Sequence, residues 1–328
     1  MKTLFFTKQI DDESMRKRDC QYFDSSQYHT IVTEDCDGYI QEPDGSQRLL
    51  FKLRKGVIAK NLCNQAVDSF SKFAKKLRDN RGTAAGPITK DKIRNYVAEI
   101  ISHSKHRAKF RRLDGTISKT DIGSLSPSQI VGYFDKKDRN KKGPVKIPCR
   151  LTAFTRDNQD KWQAAIPFIQ RVDQIFAELV PEHYARQKAR AELTPKFVIP
   201  DTSFSTITVN YSWRTACHKD KGDYEDGFGN LVVCEDQHNP NDYKGCCFGF
   251  PQYGVCVDVR GGDFLAANVH EWHCNTEFEP VQEEYISHEP ITNEDTRIRY
   301  RNSWNYSRLS FVFYLRHKMA DKCQETID

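Results

Sequence analysis

No two of the 11 cysteines in this 328-residue chain are spaced Cys-x-x-Cys. An odd number, scattered singly apart from Cys246-Cys247, fits neither a structural zinc knuckle nor a secreted disulfide framework. The expectation is mostly reduced, buried thiols serving as small apolar side chains, in a reducing compartment, nucleus or cytoplasm. Long apolar runs are missing too, and none approaches the roughly 20 residues of a membrane-spanning helix. Residues 1–13 carry a brief Leu4-Phe5-Phe6 patch, then turn acidic, without a signal peptide's apolar stretch or cleavage site. No repeat or low-complexity tract is visible. With 38% hydrophobic and 12% aromatic residues, a disordered chain is also excluded.

What the chain does have is an uneven charge. The net is only +5, yet residues 51–150 hold 25 Lys/Arg against eight Asp/Glu. Residues 1–50 and 151–328 are both acidic on balance, with 6 against 10 and 19 against 27. Concentrated positive charge points to a polyanionic partner, because each Lys or Arg that meets a phosphate gains from counterion release. The competing reading is a set of solvated helix faces.

Periodicity divides the chain into a helical and a β-rich part. Leu62, Ala66, Phe70, Ala74 and Leu77 recur at helical spacing and predict a helix over 61–78. Ile93, Val97, Ile100 and Ile101 predict a second over 90–103. The basic stretch 104–146 reads as a long functional loop, with cationic clusters at 105–112 and 136–142. Trp162, Ile166, Ile169, Val172, Phe176 and Leu179 predict a third helix over 158–179, kinked or opened by Pro167. Beyond Lys196 come short β-branched or aromatic runs at 197–199, 204–213, 230–234, 253–259, 262–268 and 308–316. Such spacing fits a sandwich or barrel of the jelly-roll kind.

His218-Lys219-Asp220 directly follows one of these strands. Residues two apart on an extended chain point the same way, so an imidazole and a carboxylate converge, as two ligands of a 2-His-1-carboxylate facial triad must. A second histidine follows some fifty residues on, in His270-Glu271-Trp272-His273, and then a strand opens Arg308-Leu309-Ser310. That order is the order of the Fe(II)/2-oxoglutarate oxygenases, in which the arginine grips the far carboxylate of 2-oxoglutarate and the hydroxyl shares the contact. Asn210, eight residues before His218, faces the same side of a regular strand and is a further candidate for co-substrate or substrate contact.

The longer strings around these motifs resemble one family, the TET/JBP-type nucleic-acid-base dioxygenases, particularly their phage and algal-viral branch. They are Pro148-Cys149-Arg150-Leu151-Thr152-Ala153-Phe154-Thr155, Thr206-Ile207-Thr208-Val209-Asn210, His218-Lys219-Asp220-Lys221-Gly222-Asp223, Gly249-Phe250-Pro251, Asp258-Val259-Arg260, Gly262-Asp263, 270–276 and 308–314. The resemblance spans 148–316, with an echo at Phe51-Lys52-Leu53-Arg54-Lys55-Gly56. It implies an α+β chain with a double-stranded β-helix core at 148–328 and supporting N-terminal helices, the basic region 1–147 packing on that core. It also implies Fe(II), 2-oxoglutarate and O2, and oxidation of the 5-methyl group of thymine or 5-methylcytosine in DNA by a monomer that is not membrane-bound.

On this resemblance His218, Asp220 and His273 are the expected metal ligands, with His273 preferred because Cys274-Asn275-Thr276 follows it. His270 is the alternative ligand, or a hydrogen-bonding neighbour on the substrate side. Arg308, Ser310 and Asn210 are assigned to the co-substrate and Asp223 to catalysis; Arg150, Thr152 and Trp272 are assigned to the substrate. The stretch between His273 and Arg308 is more than twice the usual length, so 279–305 reads as an acidic insertion. That departure keeps open another reductant, such as ascorbate, in place of 2-oxoglutarate. A protein or small-molecule hydroxylase on the same barrel is the rival reading.

Overall fold

The computed structural model describes residues 1–89, 92–135, 149–235, 243–280 and 308–323. The N-terminal part holds β1 (Lys2–Phe6), α1 (Asp12–Lys17), β2 (Thr30–Val32), β3 (Cys36–Gln41), β4 (Gln47–Arg54) and α2 (Lys60–Ala74). A meander follows, β5 (Val97–His103), β6 (Arg107–Arg112), β7 (Ile122–Gly123) and β8 (Ser128–Phe134), then β9 (Arg150–Leu151). Three helices come next: α3 (Ala153–Asp157), α4 (Gln159–Leu179) and α5 (Pro181–Ala191). The remaining strands are β10 (Thr206–Tyr211), β11 (Gly229–Glu235), β12 (Tyr243–Gly245), β13 (Phe248–Phe250), β14 (Val255–Val257), β15 (Phe264–Ala267), β16 (Cys274–Asn275), β17 (Phe278–Pro280) and β18 (Arg308–Tyr314), before α6 (Met319–Lys322).

Nine strands form the main sheet in the order β1-β3-β4-β15-β11-β18-β10-β8-β9, and β16-β13-β14-β2 form a second. Strands β10, β11 and β18 sit side by side in antiparallel register. Their side chains alternate between two faces. Ile207, Val209, Val232, Phe311 and Phe313 point one way, into a core shared with Phe168, Ile169, Val172 and Phe176 of α4 and Phe70 of α2. Burial of each large apolar side chain is worth about 1.5–3 kcal/mol, so this layer fixes the sheet against the helices. The opposite face meets the second sheet through Leu231, Val233, Leu265, Phe248, Phe250 and Val257. Two sheets closing over one interior make the core a double-stranded β-helix, as expected. Helix α4 also follows its predicted stripe, with Pro167 inside it on the solvent side.

Several expectations need correction. The residues read as a helix over 90–103 include β5, which pairs antiparallel with β6. Its Val97, Ile100 and Ile101 are β-branched and fit a pleated surface, and pairing outweighed a helical spacing of only four residues. The described part of the loop expected over 104–146, up to residue 135, contains β6, β7 and β8, because Arg107-Ala108-Lys109-Phe110-Arg111 alternates with a strand's period. Residues 197–199 form no strand, and Pro195–Phe197 is a 3-10 turn. Helix α5, which opens on Pro181, was not anticipated. The first fifty residues add further strands: β1 runs parallel to β3, and β2 parallel to β14. Cys149 and Cys323 are joined as a disulfide, while nine cysteines are free and buried. Strands β1, β3, β4 and β8, all before residue 148, belong to the main sheet. The cluster 136–142 and the expected insertion from 281 onward lie outside the described residues. Among the described residues, no helix is long and apolar enough to cross a membrane.

Candidate active site

The second face of β10 and β18 carries polar groups where the first carries phenylalanines. Thr208, Asn210, Arg308, Ser310, Tyr314 and Arg316 all line one cavity of about 440 Å³. This volume lies within the range of small-ligand sites. Just past β10 the chain turns along the cavity and presents His218 and Asp220. The backbones of His218 and His273 pair through two N–H···O=C bonds of 3.0 Å, and the Asp220 amide donates to the Val269 carbonyl at 3.0 Å. Two segments remote in sequence are thus held together by main-chain bonds.

Their ligand atoms lie within 4.8 Å of one another. Nδ1 of His218 faces the Ala216 carbonyl at 2.7 Å, and Nδ1 of His273 faces the Glu271 carbonyl at 2.9 Å. With Nδ1 of each ring engaged in this way, both Nε2 atoms turn towards Asp220, 3.6 Å from its two oxygens. Burial and the neighbouring His273 ring keep His218 neutral, its pKa pushed down to about 4. Burial opposes ionisation of Asp220 as well, yet His273, His218 and Arg81 hold it well below the usual carboxylate range. Acceptors converging in this way, with no donor between them, are the donor set of a divalent cation. Phe248 stacks on the His273 ring at 5.2 Å and walls the site on that side.

Arg308 is 2% exposed. Its main-chain amide donates to Ser212 Oγ at 3.1 Å. Nε and Nη2 of its guanidinium are buried without a hydrogen-bond partner. Leaving two charged donors unmet inside a protein costs several kcal/mol unless a ligand accepts from them, and a carboxylate does so bidentately. Asn210 Nδ2 donates to Ser310 Oγ at 3.2 Å, while Asn210 Oδ1 accepts from Ser128. The residues therefore fit both Fe(II) and a dicarboxylic co-substrate.

Asp223 also lines the cavity, and burial together with the charge of Asp220 raises its pKa well above normal, against the pull of Arg316 and Arg81. Trp272 lines the wall, 5.5 Å from the Lys219 ammonium. Trp213, packed on Ala84 and Ala85, lines it too.

Three expected substrate residues are not at the cavity. The Thr152 hydroxyl caps α3, accepting from the Thr155 amide. Arg150 lies on β9 at the sheet edge, paired with Phe134 of β8. His270 turns away, its Nε2 3.1 Å from the Tyr224 carbonyl.

Two arginines at the site carried no such signal in the sequence. Arg81, from the break after α2, donates to Thr208 Oγ1 at 3.3 Å and to the Gln129 carbonyl at 3.0 Å. Arg316, just past β18, pairs with Asp135 at 2.6 Å. Neither sits in a motif, and only the fold brings Arg81 to the triad.

A double-stranded β-helix with a His-Asp-His cluster and a buried arginine facing it is the architecture of an iron-dependent oxygenase. Residues 129–317 match the Tet_JBP family, the oxygenase domain of the 2OGFeDO superfamily, and the chain belongs to that family. Membership implies Fe(II), 2-oxoglutarate and O2. The chain is 33% identical over 217 residues to thymine dioxygenase JBP1 of Trypanosoma brucei brucei, covering 64% of this chain and 22% of that protein. With the protein of the same name from Crithidia fasciculata the figures are 33% over 205 residues, 62% and 23%. The chain thus spans less than a quarter of the length of these relatives. A solved structure described as NgTET1 in complex with 5mC DNA aligns with a TM-score of 0.49 and 11% identity, over 95% of this chain and 93% of that one.

Proposed function

We propose that the protein oxidises the 5-methyl group of a pyrimidine, thymine or 5-methylcytosine, in DNA. The observation that carries this reading is the single cavity in which the His218-Asp220-His273 cluster faces the two unmet donors of Arg308. His218, Asp220 and His273 would hold Fe(II). Arg308 would take the far carboxylate of 2-oxoglutarate, with Ser310 supported by Asn210 beside it. When bound, iron with its co-substrate and O2 supplies the oxidant that turns a methyl C–H into C–OH.

The protein's own contribution is placement and exclusion of water. Asp223, Arg81 and Arg316 offer hydrogen-bonding groups to the polar edge of a base, and Trp272 offers a flat apolar wall. A base in a duplex cannot reach a site walled in this way unless it leaves the stack, so the nucleotide must be extruded. The JBP1 relatives are named thymine dioxygenases, which supports DNA pyrimidines over a protein substrate. The concentration of cations in 51–150 supports the same partner.

The test is mass spectrometry of nucleosides from DNA incubated with the protein, Fe(II), ascorbate and 2-oxoglutarate, omitting each in turn. The expected result is hydroxymethyl-pyrimidine that disappears without iron and without 2-oxoglutarate. Turnover without 2-oxoglutarate would overturn the co-substrate assignment. No oxidised pyrimidine in any arm would overturn the substrate and leave a protein or small-molecule hydroxylase.

A further inference from the structure

The meander β5-β6-β7 belongs to neither of the two main sheets. It has a small core of its own, in which Val97, Ala108, Phe110 and Ile122 pack with Ile88 and Ile93. One end of this ribbon, the turn between β5 and β6, lies at the cavity, because His106 is part of its lining. That turn is anchored: Lys105 Nζ lies 3.5 Å from Asp19, itself a cavity residue, and Cys20 Sγ donates to the Lys105 carbonyl. The other end, the turn after β6, is ordered by Asp114, which accepts from the Thr116 amide at 2.9 Å.

Beside the exposed Glu99, Asp114 and Asp121, the surface of this unit carries cations and apolar side chains. Lys105, Lys109 and Lys119 are exposed, and Arg107, Arg111 and Arg112 are half-buried on the same short sheet. Residues 97–123 hold six Lys/Arg against three Asp/Glu. Among the described residues seven large hydrophobics are exposed, and three of them are here: Leu113 at 72%, Ile117 at 54% and Ile101 at 42%. Two aliphatic side chains on a turn framed by cations match the chemistry of a wedge entering a DNA groove, where apolar groups press on base steps while Arg and Lys meet the phosphates.

Resting on the proposed reaction, we infer that this ribbon is a one-sided DNA guide, which tracks the duplex on a single flank of the extruded nucleotide. Leu113 lies seven residues beyond His106, so at about 3.4 Å per residue the tip reaches about 20 to 24 Å from the cavity mouth. Phosphates recur every 3.4 Å along one strand, so the reach corresponds to about six or seven base pairs. Along that length Lys109, Arg112 and Lys119 meet phosphates, while Arg111 is held by Glu99 at 3.2 Å, and Leu113 with Ile117 occupies the minor groove at the far end. The occupant is duplex DNA, chosen for charge complementarity and for continuity with the mouth through which the base must enter.

The test is hydroxyl-radical footprinting of the full chain on a duplex with one mismatched, methylated pyrimidine, which fixes the register. The expected footprint extends about six or seven base pairs further on one side of the target than on the other. Lys109→Glu/Arg112→Glu/Lys119→Glu should erase that extension alone, and lower the salt dependence of binding by nearly one log unit per log unit of salt for each contact removed. Leu113→Ser/Ile117→Ser changes only exposed positions and should shorten the footprint at its outer end. A symmetric footprint, or one unchanged by both variants, would overturn the guide and leave the face to a protein partner. Failure of the underlying reaction is a separate outcome: no oxidised pyrimidine, with the asymmetry still present, sinks the reaction and keeps the guide.

Discussion

Removal of one ligand from a three-residue cluster should be felt first as lost metal affinity. His218→Ala and Asp220→Ala are each expected to abolish Fe(II) binding in a metal titration, because two remaining ligands hold a divalent ion weakly. His270→Ala should bind Fe(II) as the parent does, since that ring faces the Tyr224 carbonyl rather than the cluster. Arg308→Lys is expected to keep Fe(II) and to raise the 2-oxoglutarate concentration required at least tenfold. A lysine presents a point charge, not two parallel donors; an unchanged requirement would remove Arg308 from the clamp. At this scale the sequence was most informative where function concentrates residues in short motifs. His-x-Asp and Arg-x-Ser could be read because strand alternation makes residues two apart neighbours. Arg81 could not, since a lone arginine beside a glycine carries no period, and its approach to the cavity is set by α2 packing on the sheet. Thr152 is ambiguous in sequence because a hydroxyl before a helix serves equally as a cap and as a ligand.

Among the elements, α4 and α3 allow separate checks of packing and capping. Phe168 is fully buried and edges onto the Phe311 ring at 5.1 Å, so Phe168→Ala should cost about 3–5 kcal/mol in urea unfolding. Thr152→Ala should cost about 1 kcal/mol through the lost cap and leave the apparent KM for DNA unchanged. A raised KM would return Thr152 to the substrate. The contrast between α4 and β5 shows what an element-level pattern can carry. Six apolar positions over α4 sustain a helical stripe that has no strand equivalent. Over β5 the pattern is short and its residues β-branched, so cross-strand pairing with β6 decides the outcome, and no single-segment pattern contains that partner.

Across the whole molecule, one buried carboxylate ties stability to pH. Asp173 of α4 accepts from the Ser203 amide and hydroxyl, each at 2.7 Å, and from Tyr184 at 3.0 Å. Burial nevertheless raises its pKa above 3.8, with these bonds opposing the shift. Between 3.8 and the raised value the folded state keeps a proton that the unfolded chain has lost, so stability falls as pH rises through that window. Asp173→Asn, which retains an acceptor for Ser203, should flatten this slope in urea unfolding at a series of pH values; an unchanged slope would place the titration elsewhere. The position of β18 has a consequence for how the protein is made. It lies between β11 and β10, yet it is synthesised after both. At ribosomal rates of about 5–20 residues per second, the stretch from Glu235 to Arg308 takes about 4 to 15 s. Throughout that interval the nascent chain carries two facing, unpaired strand edges, and it needs shielding from its neighbours on the polysome until the arginine strand arrives and closes the sheet.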